Sequence, residues 1–463
     1  MHPESKYSAM GPTSDNNQPV PTRPTSVRWI VLAWLCIAGS IAYIHRMCIS
    51  VPSKQIQADL NLTDEQMGWV LGWFFLSYAA FQIPAAWLGS RWGNRTILPV
   101  FVVGWSLATA WMGMSGGYIA MSASRIVNGI FQAGILPCSA ISVRHWFPVS
   151  QRAFPMGMLG SFQSVGAILA TMITPLLLQV VDWRTAFVVL SLMGGVWAAG
   201  FYRWFRELPE THPSVNAEEL RFIRGGAGAG NGASDRPANN ESPPTQAAPW
   251  LIMFTSATMW LICSQQFFRA AGYGFYGTWF PRFLQETRNV TMLQSGFLTT
   301  LPVLAVAVGS AAGGGLVDWI QKRTGSQRLS RQALAIVCLS LCSVCIFLAY
   351  FIADAMQAVL LITLGSLFSG LGGPAGMTLT VDLSGRHIAT SFATMNMAGN
   401  FGAAICPVIV ARFVDELPRW SITDKTEQWN LVLFFFVAIY AAAAVCWMFL
   451  NPNRPIFAEE PIS

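Results

Sequence analysis

The sequence predicts an all-α polytopic membrane protein: twelve transmembrane helices in two six-helix bundles around a central cavity. Three observations predict it. Of 463 residues, 53% are hydrophobic and only 11% are charged, against about 25% charged in ordinary soluble domains. The apolar residues gather into runs long enough to cross about 30 Å of hydrocarbon as a helix. Those runs lack the polar–apolar alternation that a closed barrel requires. The net charge of +6 reflects loop topology rather than an acidic partner. No basic stripe or aromatic platform for nucleic acid is present, so none is expected as a partner.

In chain order, residues 1–26 are polar and rich in Pro, Ser, Thr and Asn. They read as a disordered cytoplasmic tail with no cleavable signal peptide. Six spans follow, at 29–51, 67–89, 96–115, 118–142, 154–179 and 184–205. Residues 206–249 form a cytoplasmic linker, flexible through Gly225–Gly232 and Pro237, Pro243 and Pro244. Six more spans lie at 250–284, 293–320, 332–352, 355–381, 389–414 and 428–450. The seventh run is too long for one span; Gly272, Gly274, Gly277 and Pro281 predict a kink or break in it. The bundles therefore cover 27–205 and 250–450, with a cytoplasmic tail at 451–463. With the N-terminus inside, inner segments hold 18 Lys and Arg and outer segments seven. That bias places both termini in the cytoplasm and requires an even number of spans. Pro137 and Pro374 occupy matching places in spans four and ten, as do Pro175 and Pro407 in spans five and eleven. These echoes suit two parallel repeats.

Three cations lie inside apolar runs: Arg46, Arg125 and Arg269. Each costs about 2.5–3.5 kcal/mol near a bilayer midplane. Together that is roughly 8–10 kcal/mol, comparable with the stability of a whole domain. No Asp or Glu lies deep in any run to neutralise them. A water-filled cationic cavity resolves the imbalance, and its natural guest is an anion. Arginine presents a rigid fork of donors suited to a carboxylate.

Four stretches carry a family resemblance. They are Pro84-Ala85-Ala86-Trp87-Leu88-Gly89-Ser90-Arg91-Trp92-Gly93-Asn94-Arg95 after span two, Tyr43 with Arg46 in span one, Arg125 with Gly129 and Pro137 in span four, and Trp146-Phe147-Pro148 with Arg152 and Gly157 leading into span five. With these the chain resembles a major facilitator superfamily transporter of the anion:cation symporter family, over about residues 27–450. The resemblance implies two bundles that rock about a central site, with substrates such as hexonates, hexuronates and other small acids. It implies that Arg91, Gly93, Arg95 and, in the second half, Asp318 act in inner-gate motifs. Three positions depart from the pattern. Ser90 stands where the loop motif usually has Asp. His45 and Gln132 stand where the family carries the acids that handle the coupling proton.

The candidate substrate ligands are Arg46 and Arg125 as a carboxylate clamp, with Arg269 as a second contact or an interfacial residue. Tyr43 lies three residues before Arg46, on the same helix face. Tyr78, Gln163 and Asn400 complete the set, because an amide or phenol within a bilayer needs a neighbouring helix or a ligand to bond. His45 has an unperturbed pKa of about 6.5. It is expected to be neutral in the empty cavity and to take up a proton when an anion binds at Arg46, with Gln132 beside it as the second coupling position. A hydrogen-bonded structural histidine is the competing reading.

Other signals carry less. Gly272-Tyr273-Gly274-Phe275-Tyr276-Gly277 mimics a dinucleotide fingerprint but follows no strand. Asn61-Leu62-Thr63 and Asn289-Val290-Thr291 are glycosylation sequons. Cys338, Cys342 and Cys345 share a helix face without His or acid beside them, so they read as small hydrophobes, and no metal is expected. No catalytic residue set and no cofactor are expected. A membrane sensor would want an appended domain, and an enzyme a nucleophile or metal cluster; neither is visible. The reading is a secondary active transporter of a small organic anion such as a sugar acid. It is expected to be proton-linked, monomeric and embedded in the inner membrane, with facilitated diffusion or anion exchange as the alternative.

Overall fold

The computed structural model describes residues 23–148, 151, 153–224, 250–384, 388–452 and 456–457. The expectations for 1–22, for 225–249, for Arg152 and Arg386, and for the end of the chain beyond 457 lie outside the described residues. The first half comprises α1 (Val27–Met47), α2 (Ser53–Leu60), α3 (Asp64–Trp92), α4 (Asn94–Gly113), α5 (Tyr118–Gln132), α6 (Ile135–Trp146), α7 (Ala153–Leu177) and α8 (Trp183–Trp204). A short α9 (Ala217–Arg224) follows. The second half comprises α10 (Trp250–Thr255), α11 (Ala257–Tyr276), α12 (Phe280–Thr287), α13 (Met292–Thr324), α14 (Leu334–Tyr350), α15 (Ala355–Leu383), α16 (Ile388–Glu416) and α17 (Lys425–Phe449).

Among the described residues, 11 helices are long and apolar enough to cross a membrane. The twelfth expected span is the seventh, which the structure breaks twice. Ser256 ends α10 and caps α11, its side chain accepting from the Met259 amide. Gly277 then ends α11, and Pro281 opens α12 in the first turn, where its missing N–H costs nothing. Span four is also divided, at residues 133–134, into α5 and α6. There Gly134 abuts the Phe101 ring so closely that a Cβ would stand 2.1 Å from it.

The sequons turn out to be punctuation. Asn61 and Asn289 each adopt a left-handed backbone, at φ 52° and 50°, which asparagine tolerates better than most residues. Two residues on, Thr63 and Thr291 each cap a helix. Each threonine accepts from the Gln amide three residues later, and that Gln side chain accepts from the threonine amide in return. Both halves thus enter their second long helix through the same Asn-x-Thr-x-x-Gln turn and capping box. Asp182 and Asp424 likewise cap the last helix of each half.

Residues 23–26 and 206–224, expected to be tail and linker, are folded against each other. Glu219 of α9 is fully buried and accepts from the Val27 and Arg28 amides, each at 3.2 Å. A carboxylate at the start of α1 satisfies orphan donors and complements the helix dipole.

The chain enters α1 and leaves α17 on one face, the chain-end face. The halves meet through α3 against α16 and α7 against α13. These contacts concentrate toward the opposite, distal face, where glycines let backbones touch. A Cβ on Gly72 would lie 2.3 Å from the Ala404 carbonyl, and one on Gly296 would lie 2.7 Å from the Thr171 carbonyl. Ion pairs then seal that face. Arg282 meets Asp64 at 2.8 Å, Lys54 meets Glu286 at 3.1 Å, and Arg412 meets Glu65 at 2.6 Å. Each joins one half to the other.

Candidate functional site

Helix α1 presents Tyr43 and Arg46 on one face. Arg46 is 7% exposed. Its guanidinium carbon lies 4.2, 4.7 and 4.8 Å from the ring centroids of Tyr43, Phe74 and Tyr78. Aromatic faces hold a desolvated cation. Its Nε and Nη2 donate to Gln132 Oε1 at 3.4 and 3.2 Å. Gln132 Nε2 donates onward to Asn128 Oδ1 at 2.8 Å, and Asn128 donates to Thr109 Oγ1 at 2.9 Å. Every one of these partners is neutral.

Arg46 and Tyr43 open onto a cavity of about 120 Å3 between α1, α3, α11 and α16. Its other polar walls are Gln266, Tyr273, Asn396 and Asn400. Drug-sized pockets run to roughly 300–1,000 Å3, so this one suits a small molecule. Asn400 donates to the Asn396 carbonyl at 2.9 Å. Asn396 donates to Gln82 Oε1 of the other half at 3.3 Å, a bond between the halves on the chain-end side of the cavity.

The structure gathers only part of the expected set. Arg125 is 1% exposed and turned into the first half. It donates to the Val70 carbonyl at 3.2 Å and the Arg46 carbonyl at 3.4 Å, strapping α5 to α3 and α1. The expected clamp of Arg46 and Arg125 on one carboxylate is therefore not assembled. Tyr78 lies beneath Arg46 rather than in the cavity wall, and Gln163 of α7 sits against Gly39, with Cγ 3.5 Å from the place of a Cβ there. His45 is fully buried and faces α8, where its Nε2 donates to the Leu190 carbonyl at 2.9 Å. The expected coupling histidine thus points away from the cavity, because one residue along a helix is a turn of about 100°. Gln132 does touch Arg46. Arg269 lies one layer behind the cavity; its Nε and Nη2 donate to Gln266 Oε1 at 3.3 and 3.2 Å.

The loop motif after α3 is built differently from the expectation. Ser90 bonds the Trp87 carbonyl of its own helix at 2.8 Å. Glu207, after α8, supplies the acid instead: Oε2 accepts from the Arg95 amide at 3.1 Å. Gly93, at φ +73°, leaves room for that carboxylate, which would lie 3.1 Å from a Cβ. Arg91 is exposed and stacks on Trp87, its guanidinium carbon 5.5 Å from the ring centroid. In the second half Arg331 pairs with Asp382, while Asp318 is exposed and acts on Arg331 through its charge.

Gln266, Tyr273 and Asn396 were missed by sequence reasoning. Gln266 stands three residues from Arg269 and Asn396 four from Asn400, so helical spacing from residues already singled out could have found both.

A profile of the Major Facilitator Superfamily matches residues 35–325 and 325–462. The chain belongs to that superfamily. This transporter is 30% identical over 425 residues to a probable sulfoacetate transporter of Cupriavidus necator, covering 92% of this chain and 94% of that one. It is 30% identical to a D-galactonate transporter of Escherichia coli, covering 84% and 89%. It is 26% identical to a hexuronate transporter of Bacillus subtilis, covering 94% and 98%. Among solved structures, a bacterial homolog of the human lysosomal transporter Spinster, inward-facing and occupied, matches at a TM-score of 0.68 and 18% identity over 92% of this chain and 95% of that one. The protein is a multi-pass membrane transporter and not an enzyme.

Proposed function

We propose that this transporter carries a small organic anion of the sugar-acid type across the inner membrane by alternating access, as a monomer with both chain ends in the cytoplasm. One observation carries the reading. Arg46 opens into the central cavity, and among the described residues no Asp or Glu forms an ion pair with it. The missing negative charge belongs to the cargo. Tyr43, Tyr273, Asn396 and Asn400 supply the donors and acceptors that hydroxyl groups need. The relatives whose names refer to sulfoacetate, D-galactonate and hexuronate support the same class. With the chain ends inside, the ion-paired distal face is extracellular and the conformation is inward-facing.

The proton link that the family resemblance implies has no carboxylate among the residues lining the cavity. With His45 turned toward α8, the geometry favours facilitated diffusion or anion exchange. Proteoliposome uptake of D-galactonate, a hexuronate and sulfoacetate, under imposed pH gradients, tests both points. Uptake of an acid that Arg46→Gln abolishes supports the anion reading. Uptake that Arg46→Gln leaves intact removes it. Accumulation driven by a pH gradient alone would restore the proton.

A further inference from the structure

Arg46 and Arg269 are held in the same way. In each, Nε and Nη2, the edge that grips a carboxylate side-on, converge on one amide oxygen at 3.2–3.4 Å. A glutamine oxygen stands where one oxygen of an anion would sit. It satisfies the donors but brings no charge. Gln266, which caps Arg269, also lines the cavity that holds Arg46. A ligand that displaces this one amide meets the second guanidinium.

Two glycines make room for the arrangement. A Cβ on Gly373 of α15 would stand 3.1 Å from Arg269 Nη1, and one on Gly399 of α16 would stand 3.1 Å from Gln266 Nε2. Tyr273, one turn beyond Arg269, lines the cavity beside Arg46. Among the described residues no carboxylate forms an ion pair with either arginine. A cargo with one charge compensates one of them; a cargo with a charge at each end compensates both.

We propose that Arg269 and Gln266 form a second anion subsite, and that the preferred cargo is a small dianionic acid spanning Arg46 and Arg269. This rests on the organic-anion reading above and narrows its substrate class. The test uses two six-carbon acids that differ in end-group charge, galactarate as the dianion and D-galactonate as the monoanion, in proteoliposomes of the full chain. The wild type is expected to show a KM for galactarate at least tenfold below that for D-galactonate. Arg269→Gln is expected to reduce that preference at least tenfold. Gln266→Glu, which gives Arg269 a resident carboxylate, is expected to do the same and serves if Arg269→Gln fails to fold in gel filtration. Equal handling of the two acids by the wild type, or a preference unchanged in the folded variants, overturns the second subsite alone. Transport of neither acid overturns this inference, and the organic-anion reading falls with it only if a hexuronate and sulfoacetate are not taken up either.

Discussion

Arginine is used in two opposite ways, at the distal seal and in the central cavity. At the seal, Arg282 meets Asp64 at 2.8 Å, with both side chains under 10% exposed, and Arg412 meets Glu65. At the cavity and one layer behind it, Arg46 and Arg269 each donate to a neutral amide oxygen, and among the described residues neither pairs with an acid. On the function proposed above, the same cation with its own acid is a lock and with a neutral placeholder a receptor. Desolvating an ion is expensive wherever it occurs. At the seal the partner half supplies compensation whenever that face closes. On that proposal, compensation in the cavity comes from the cargo.

Substitutions can break or sharpen this contrast. The largest effect is expected from Arg46→Gln, which removes about 3 kcal/mol of charge-assisted hydrogen bonding to an anion, or about a hundredfold in uptake. The variant should keep wild-type gel filtration and thermal stability, because its resident partners are neutral. Asp64→Asn should act on the seal instead. Removing one partner of a buried pair costs about 3–5 kcal/mol, here charged to the sealed state. Spin-label distances between the distal ends of α3 and α16 should lengthen, while binding of D-galactonate persists. Gly72→Leu should shift the same distances by a smaller amount, since overpacking costs about 1–3 kcal/mol and its Cβ would stand 2.3 Å from the Ala404 carbonyl. Thr63→Ala and Thr291→Ala should each cost about 1 kcal/mol as lost caps, seen as matching falls in thermal stability. Arg412→Ala should be the mildest. Its pair is solvent-exposed, the arginine side chain 63% accessible, and worth under about 1 kcal/mol. Uptake should remain within twofold.

Much of the fold was legible because hydropathy reports the solvent of each segment directly. The twelve runs, the break expected in the seventh and the acid-free cations could all be read from residue order. Tyr43 and Arg46 could be paired because three residues share a helix face. The Asn-x-Thr segments were read only as sequons, and the capping boxes were missed although a Gln three residues after each threonine marked them. Glu207 was missed because it joins the loop motif from 112 residues away along the chain.

By itself the sequence determined that this protein lies in a membrane, in two related halves, with three guanidiniums buried in apolar runs and no acid beside them. Those are properties of composition and order, and the bilayer enforces them on any packing. Tertiary structure alone decided which way each cation turned: Arg46 into the cavity, Arg125 onto the Val70 and Arg46 carbonyls, Arg269 behind Gln266. The rotation of a helix about its axis, and the glycines that set its distance from a neighbour, are fixed by side-chain packing between segments far apart in the chain.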